Sequence, residues 1–158
     1  MPLWMRGEER EREISEKEMT VLLKQFLDWL EDHELAHFFV EDVDTEEYPQ
    51  YRKVVKNPMN IGRMRKRVVS GDYDSRRAGH NLFMEDVDWI RHNCVLFNGL
   101  HAGISRCAAI FYKRAENYHS THIAPIVNIL RRPGAEGAHR TPVFESRKRD
   151  TSTARRNG

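Results

Sequence analysis

The chain has 158 residues, 39% of them hydrophobic and 32% charged, with a net charge of +2. That size and balance suit one soluble domain with tails; no apolar run approaches the ~20 residues a bilayer span needs, and the charged stretch from Arg6 to Glu18 is no signal peptide. From Arg131 to the end eight Lys/Arg stand against three Asp/Glu, leaving 18 basic and 21 acidic residues before it, so the folded part is mildly acidic and lacks the charge of a DNA-binding domain.

Residues 1–14 are mostly alternating Glu and Arg and read as a charged tail. Ser15-x-x-Glu18 is a capping box, with Ile14 and Met19 placed as the flanking hydrophobic staple. Met19, Leu22, Leu23, Phe26, Leu27 and Leu30 follow at three- and four-residue spacing, which predicts a helix of about 18 residues with one apolar face. From Glu34 to Met59 the period is lost, although Phe38, Phe39, Val43, Tyr48, Tyr51 and Val55 still need burial. A long apolar connection of this kind tends to be functional rather than disordered. Asn60 caps a short basic helix, Ile61 to Val69, that turns Ile61, Met64 and Val68 inward, and Ser70-Gly71-Asp72 breaks it. Ser75 caps the next helix, whose expected buried stripe is Leu82, Phe83, Val87, Ile90, Cys94 and Phe97. Gly99 and Gly103 mark a turn just after Asn98. A final helix from about Ile104 to Ile123 buries Cys107, Ala108, Phe111, Ala115 and Tyr118, and Pro125 should end or kink it. From Arg132 onward Pro, Gly, Arg, Ser and Thr dominate, which predicts disorder. The domain organisation is therefore a charged tail (1–14), a helical domain (15–130) and a basic tail (131–158). Four amphipathic helices with one long connection between the first two make an all-α bundle with a loop-built pocket.

Cys94 and Cys107 form no CxxC pair, which argues against structural zinc and for a reducing, intracellular setting. His119 and His122 lie three apart with no third ligand evident, and read as surface histidines with no metal. Arg63-Arg65-Lys66-Arg67 reads as a solvated helix face, with phosphate contact as a minor alternative. The acids Glu41, Asp42, Asp44, Glu46 and Glu47 read as a solvated loop face that could also steer basic peptides. No Gly-rich phosphate loop, nucleophile elbow or paired acids stand out, so nothing argues for an enzyme or a cofactor. Arg147-Lys148-Arg149 fits a nuclear import signal, a triplet also common by chance, and the basic tail fits weak, nonspecific nucleic-acid contact.

Three stretches carry a resemblance: Tyr48-Pro49-Gln50-Tyr51, Val54-Val55-Lys56-Asn57-Pro58-Met59-Asn60-Ile61, and Asn93-Cys94-Val95-Leu96-Phe97-Asn98, with Gly71-Asp72-Tyr73 between the last two. In this order and spacing, from about Ser15 to Ile123, the chain resembles the bromodomain family. The resemblance implies a left-handed four-helix bundle that binds acetyl-lysine at one end. It implies that Asn98 hydrogen-bonds the acetyl carbonyl and that Tyr51 contacts this carbonyl through a water. Val43, Tyr48 and Ile104 match the apolar walls, with Ile104 at the gatekeeper position, and Phe39 matches the phenylalanine of the aromatic shelf. The implied partners are acetylated histone tails or other acetylated proteins and subunits of chromatin complexes, in the nucleus and away from membranes. The chemistry agrees: acetylation turns an ammonium into a neutral amide, which an apolar slot with one carboxamide donor can accept.

The chain departs from the family pattern at the shelf. Trp-Pro-Phe is usual there, and this sequence has His37-Phe38-Phe39, so that Phe38 or His37 partly replaces the tryptophan. Tyr51-Arg52 keeps one member of a common tyrosine pair, Phe97 stands where a tyrosine often precedes the asparagine, and Gly99 replaces a frequent proline. Two readings follow: a reader of acetylated lysine, or a degenerate bromodomain that serves as a protein-interaction scaffold without binding acetyl-lysine.

Overall fold

Ser15 opens the first helix of the computed structural model, which describes residues 14–73 and 79–131. The Ser15 hydroxyl accepts from the Glu18 amide while the Glu18 carboxylate accepts from the Ser15 amide, so the capping box forms as expected. Helix α1 (Glu16–Glu31) buries all six residues of its apolar stripe, Met19 to Leu30. Ile14, the last residue of the expected tail, is also buried.

The long connection after α1 holds a 3₁₀ helix, Glu34–Phe39, and a single helical turn, α2 (Tyr51–Val54). Helix α3 (Ile61–Ser70) begins where Asn60 Oδ1 accepts from the Arg63 amide at 2.8 Å. It stops at Gly71, whose φ of +76° is the left-handed conformation that glycine adopts at low cost. Ile61, Met64 and Val68 face inward, as their spacing predicts.

Helix α4 (Gly79–Asn98) has its core face at Phe83, Val87 and Ile90; the expected Ser75 cap lies outside the described residues. Leu82 is a correction, for it is 36% exposed. Neighbouring helix positions are turned by about 100°, so the fully buried Phe83 rotates Leu82 outward. Cys94 and Phe97 are half-buried rather than core, because they approach the open end of the bundle, whereas His80, Asp86 and Asn93 are buried polar residues. Asp86 accepts from both Arg67 and Tyr73 and so ties the end of α3 to α4. Burial raises its carboxyl pKa, against the pull of Tyr73 and Arg67.

Helix α5 (Gly103–Tyr118) buries Ala108, Phe111 and Ala115, while Cys107 and Tyr118 are only half-buried. Helical structure continues past Pro125, through a π-helical turn, His119–Ile123, into α6 (Ala124–Leu130). The Ala124 amide donates to the His119 carbonyl five residues back. That widening accommodates a proline that lacks an N–H and would crowd the fourth carbonyl behind it.

The fold is thus all-α, with α1, α3, α4 and α5 as its four longer helices and the long connection between the first two of them. The described residues contain no strand. Helix α1 packs on α3, α4 and α5, and α4 on α5 is the most extensive pairing. Phe26 stacks on Phe83 at 4.6 Å and on Tyr118 at 4.9 Å, which joins α1, α4 and α5 through ring contacts. By its contacts the chain divides into a unit of Glu13–Val127 and a second unit to which described residues 128–131 belong. No described helix is long and apolar enough to cross a membrane.

Candidate functional site

Two clamps set the path of the long connection. At the first, the Gly62 amide donates to the Val40 carbonyl at 2.9 Å, so that the loop backbone lies directly on the start of α3. A Cβ at position 62 would sit 2.8 Å from that carbonyl oxygen, which explains the glycine. Beside it, Asp42 accepts from Asn60 Nδ2 at 2.6 Å and from Arg63 at 2.7 and 3.1 Å. The hydrogen bonds from Arg63, against a weaker opposing push from burial, hold the Asp42 carboxyl below its usual pKa. At the second clamp, Asn93 Nδ2 on α4 donates to the Asn57 carbonyl at 2.8 Å.

Between this loop and the ends of α4 and α5 lies a cavity of about 460 Å³. All eight residues singled out from the sequence line it: Phe38, Phe39, Val43, Tyr48, Tyr51, Phe97, Asn98 and Ile104. Asn98 is the last residue of α4, and it is exposed, with Nδ2 donating to the Cys94 carbonyl at 3.1 Å. The chain then turns at Gly99, at φ +92°, and Ser105 Oγ donates to the Gly99 carbonyl at 2.8 Å, which pins the turn to α5. Ile104 is half-buried in the first turn of α5.

Tyr51 is half-buried at the start of α2, and burial raises its hydroxyl pKa, followed by the influence of Cys94 and Asp42. Its phenol stays neutral and able to donate at ordinary pH. Phe97 meets Tyr51 and Tyr48 edge-on, with ring centres 5.0 and 6.2 Å away. Val43 and Tyr48 are exposed. Phe39 is buried with its ring 5.3 Å from Phe111, so it belongs to the core as much as to the cavity wall. Phe38 is exposed against His37 at 4.0 Å, a small aromatic ledge in place of a tryptophan.

The cavity also contains residues that the sequence reading did not pick out for the site: Glu41, Met59, Asn60, Ile90, Asn93 and Cys94. Asn93 carried the one legible signal, a carboxamide on the apolar side of α4. Burial, and then neighbouring Cys107, push the Cys94 thiol up to about 11, so it contributes no charge. Glu41 is the single acidic side chain in the lining. Apolar walls with a few fixed amides favour an uncharged group that brings a hydrogen-bond acceptor, because an unpaired cation would lose its hydration there.

Several surface readings need correction. Arg63, Arg65 and Arg67 lie on a partly exposed helix face, but each is paired: Arg63 with Asp42, Arg65 with Asp28 and Glu31, and Arg67 with Asp72 and Asp86. The guanidiniums are held by carboxylates, which removes the argument for phosphate contact. Asp42 lies on the exposed loop face, as expected, and in addition pairs with Arg63 and Asn60. His119 is half-buried, its Nε2 2.7 Å from Nδ1 of the buried His80, because the π turn points it back at α4. Among the described residues no group of three or more His, Cys, Asp or Glu could hold a metal ion.

A family model described as Bromodomain matches residues 23–110. The chain is 37% identical over 84 residues to the bromodomain adjacent to zinc finger domain protein 2A of Xenopus laevis, a match covering 53% of this chain and 5% of that protein. It is 34% identical over 89 residues to the bromodomain and PHD finger-containing protein 3 of Mus musculus, covering 56% of this chain and 7% of that protein. To the nucleosome-remodeling factor subunit NURF301 of Drosophila melanogaster it is 30% identical over 100 residues, covering 61% of this chain and 4% of that protein. The chain therefore corresponds to a small part of each of these relatives.

Proposed function

Because the chain belongs to the bromodomain family, we propose that it reads acetylated lysine, with the acetamide entering the cavity at the end of the bundle and its carbonyl accepting from Asn98 Nδ2. The family is one of binding modules rather than enzymes. The observation that carries the reading is the convergence of eight side chains, from the loop, α2, α4 and α5, on one cavity with Asn98 in its lining. A carboxamide nitrogen has two hydrogens. One is engaged by the Cys94 carbonyl, which orients the amide and leaves the other for a ligand. Val43, Tyr48, Phe39, Phe97 and Ile104 surround the acetyl and the lysine stem, Tyr51 reaches the carbonyl through a water, and Phe38 flanks the peptide outside.

Acetylated histone tails are the proposed ligands, and chromatin in the nucleus the proposed setting; support comes from relatives whose names place them in a nucleosome-remodeling factor or beside zinc and PHD fingers. The test is an NMR titration of the protein with one histone-tail peptide in acetylated and unmodified forms. Shifts centred on Asn98, Val43 and Tyr51 with the acetylated form alone are expected. Equal response to both forms, or no response to either across a panel of acetylated peptides, would replace the reader with a scaffold that keeps the bundle alone.

A further inference from the structure

Helix α4 carries a second row of side chains, on the side away from the core. Leu82, Glu85, Trp89, His92 and Leu96 are all exposed and recur at alternating steps of three and four residues. That spacing aligns them along about 21 Å of one helix face. The three apolar members, Leu82, Trp89 and Leu96, stand seven residues apart and are 36%, 38% and 49% exposed. None of the five residues lines the cavity at the end of the bundle. Apolar residues at heptad spacing form the seam by which helices pair, and the described residues leave this seam open.

Read along the helix the row is Leu, Glu, Trp, His, Leu, and it complements itself when reversed. In an antiparallel pair of copies with the twofold axis at Trp89, Leu82 meets the partner's Leu96 and the two Trp89 rings meet each other. Glu85 lies four residues before the axis and His92 three after it. The acid of each copy therefore comes opposite the imidazole of the other, within one residue's rise of ~1.5 Å. A parallel pair would instead set acid on acid and imidazole on imidazole. Asp88 and Arg91, on the flank of the row, are bonded to each other and leave the seam without a competing charge. From this complementarity we infer that the outer face of α4 is a self-docking surface whose partner is a second copy of this chain, packed antiparallel. A single pair of helices lies at the low end of interface size, so the dimer is weak and forms only at high concentration. Asn98 is nine residues beyond the axis, which puts the two cavities at opposite ends of the pair, roughly 27 Å apart along the helices. The inference holds whatever the cavity binds.

Sedimentation equilibrium of the full chain tests it. A monomer–dimer equilibrium with a dissociation constant below about 1 mM is expected. Trp89→Lys sets two ammonium groups face to face on the axis and should weaken the dimer at least about ten-fold, with helical circular dichroism and melting temperature retained. The charges give an independent test. In low salt Glu85→Lys and His92→Glu should each weaken the dimer by roughly two- to five-fold, and the double variant should recover it. Within one helix positions 85 and 92 are ~10.5 Å apart, two turns, so that recovery reports a contact between copies. A monomer at every concentration overturns the inference and leaves the row to another protein's helix or to this chain's own tails. A dimer that Trp89→Lys leaves unaltered, or one that the charge exchange does not recover, overturns it as well.

Discussion

Asn98 holds the pivotal position among single residues because it is both exposed and already oriented. Its bond to the Cys94 carbonyl closes nothing else in the fold, so Asn98→Ala should leave stability within about 0.5 kcal/mol. The same change should weaken binding of an acetylated peptide by about 5- to 150-fold, read by titration calorimetry alongside a thermal melt. Unchanged affinity would move the ligand's carbonyl elsewhere. His119 offers a second expectation at this scale. Burial lowers its pKa below the ordinary 6.5, so the folded state binds a proton less readily than the unfolded chain. Its contribution to stability is therefore complete above pH 6.5 and is lost as the pH falls through and below that value. Denaturant midpoints between pH 7.5 and 5.5 should decline more steeply for the natural sequence than for His119→Gln; parallel slopes would show that the ring does not titrate in this way.

At the level of elements, the connection between α1 and α3 is irregular in backbone and yet fixed at two points. Gly62 permits the close approach to Val40, and the Asp42–Arg63 pair and the Asn93–Asn57 bond hold the remainder. The ion pair is largely exposed and contributes at most about 1 kcal/mol. The backbone approach is the stiffer constraint. Gly62→Ala should push the Val40 carbonyl away at a cost of about 1–3 kcal/mol, the range for overpacked contacts. Faster amide exchange at the Gly62 position and weaker acyl-lysine binding should accompany it, and unaltered exchange would show that the clamp yields without strain. The π turn before Pro125 is a comparable local solution. Pro125 carried the breaker signal in the sequence, but how the chain would absorb it depended on whether helix could be regained on the far side.

The whole molecule is joined by aromatic contacts that cross its helices. Phe83 on α4 stacks on Phe26 of α1 and lies 5.5 Å from Tyr73, with no exposed surface. Phe83→Ala should cost about 3–5 kcal/mol in urea unfolding and weaken the bundle as a unit; a loss below 1 kcal/mol would mean that the neighbours collapse into the space. Tyr118, expected in the core, ends half-buried because it also serves as a platform for Trp29, 4.4 Å away, on the outer side of the bundle.

Helix positions, the caps at Ser15 and Asn60, the break at Gly71 and the apolar stripes of α1 and α3 were determined by the sequence alone. They depend on neighbours three or four residues away, and such neighbours are visible in a string of letters. The eight candidate site residues were legible only through the ordered motifs of the resemblance, since Val43 and Ile104 alone look like any core residue. Tertiary structure decided the rest: that Leu82 faces out, that the arginines of α3 are paired across to α1, the loop and α4, that His119 meets His80, and that Asn93 has a buried oxygen beside the cavity. Each of these depends on which side of an element another element covers, and on distances across many residues of sequence, which no local period encodes.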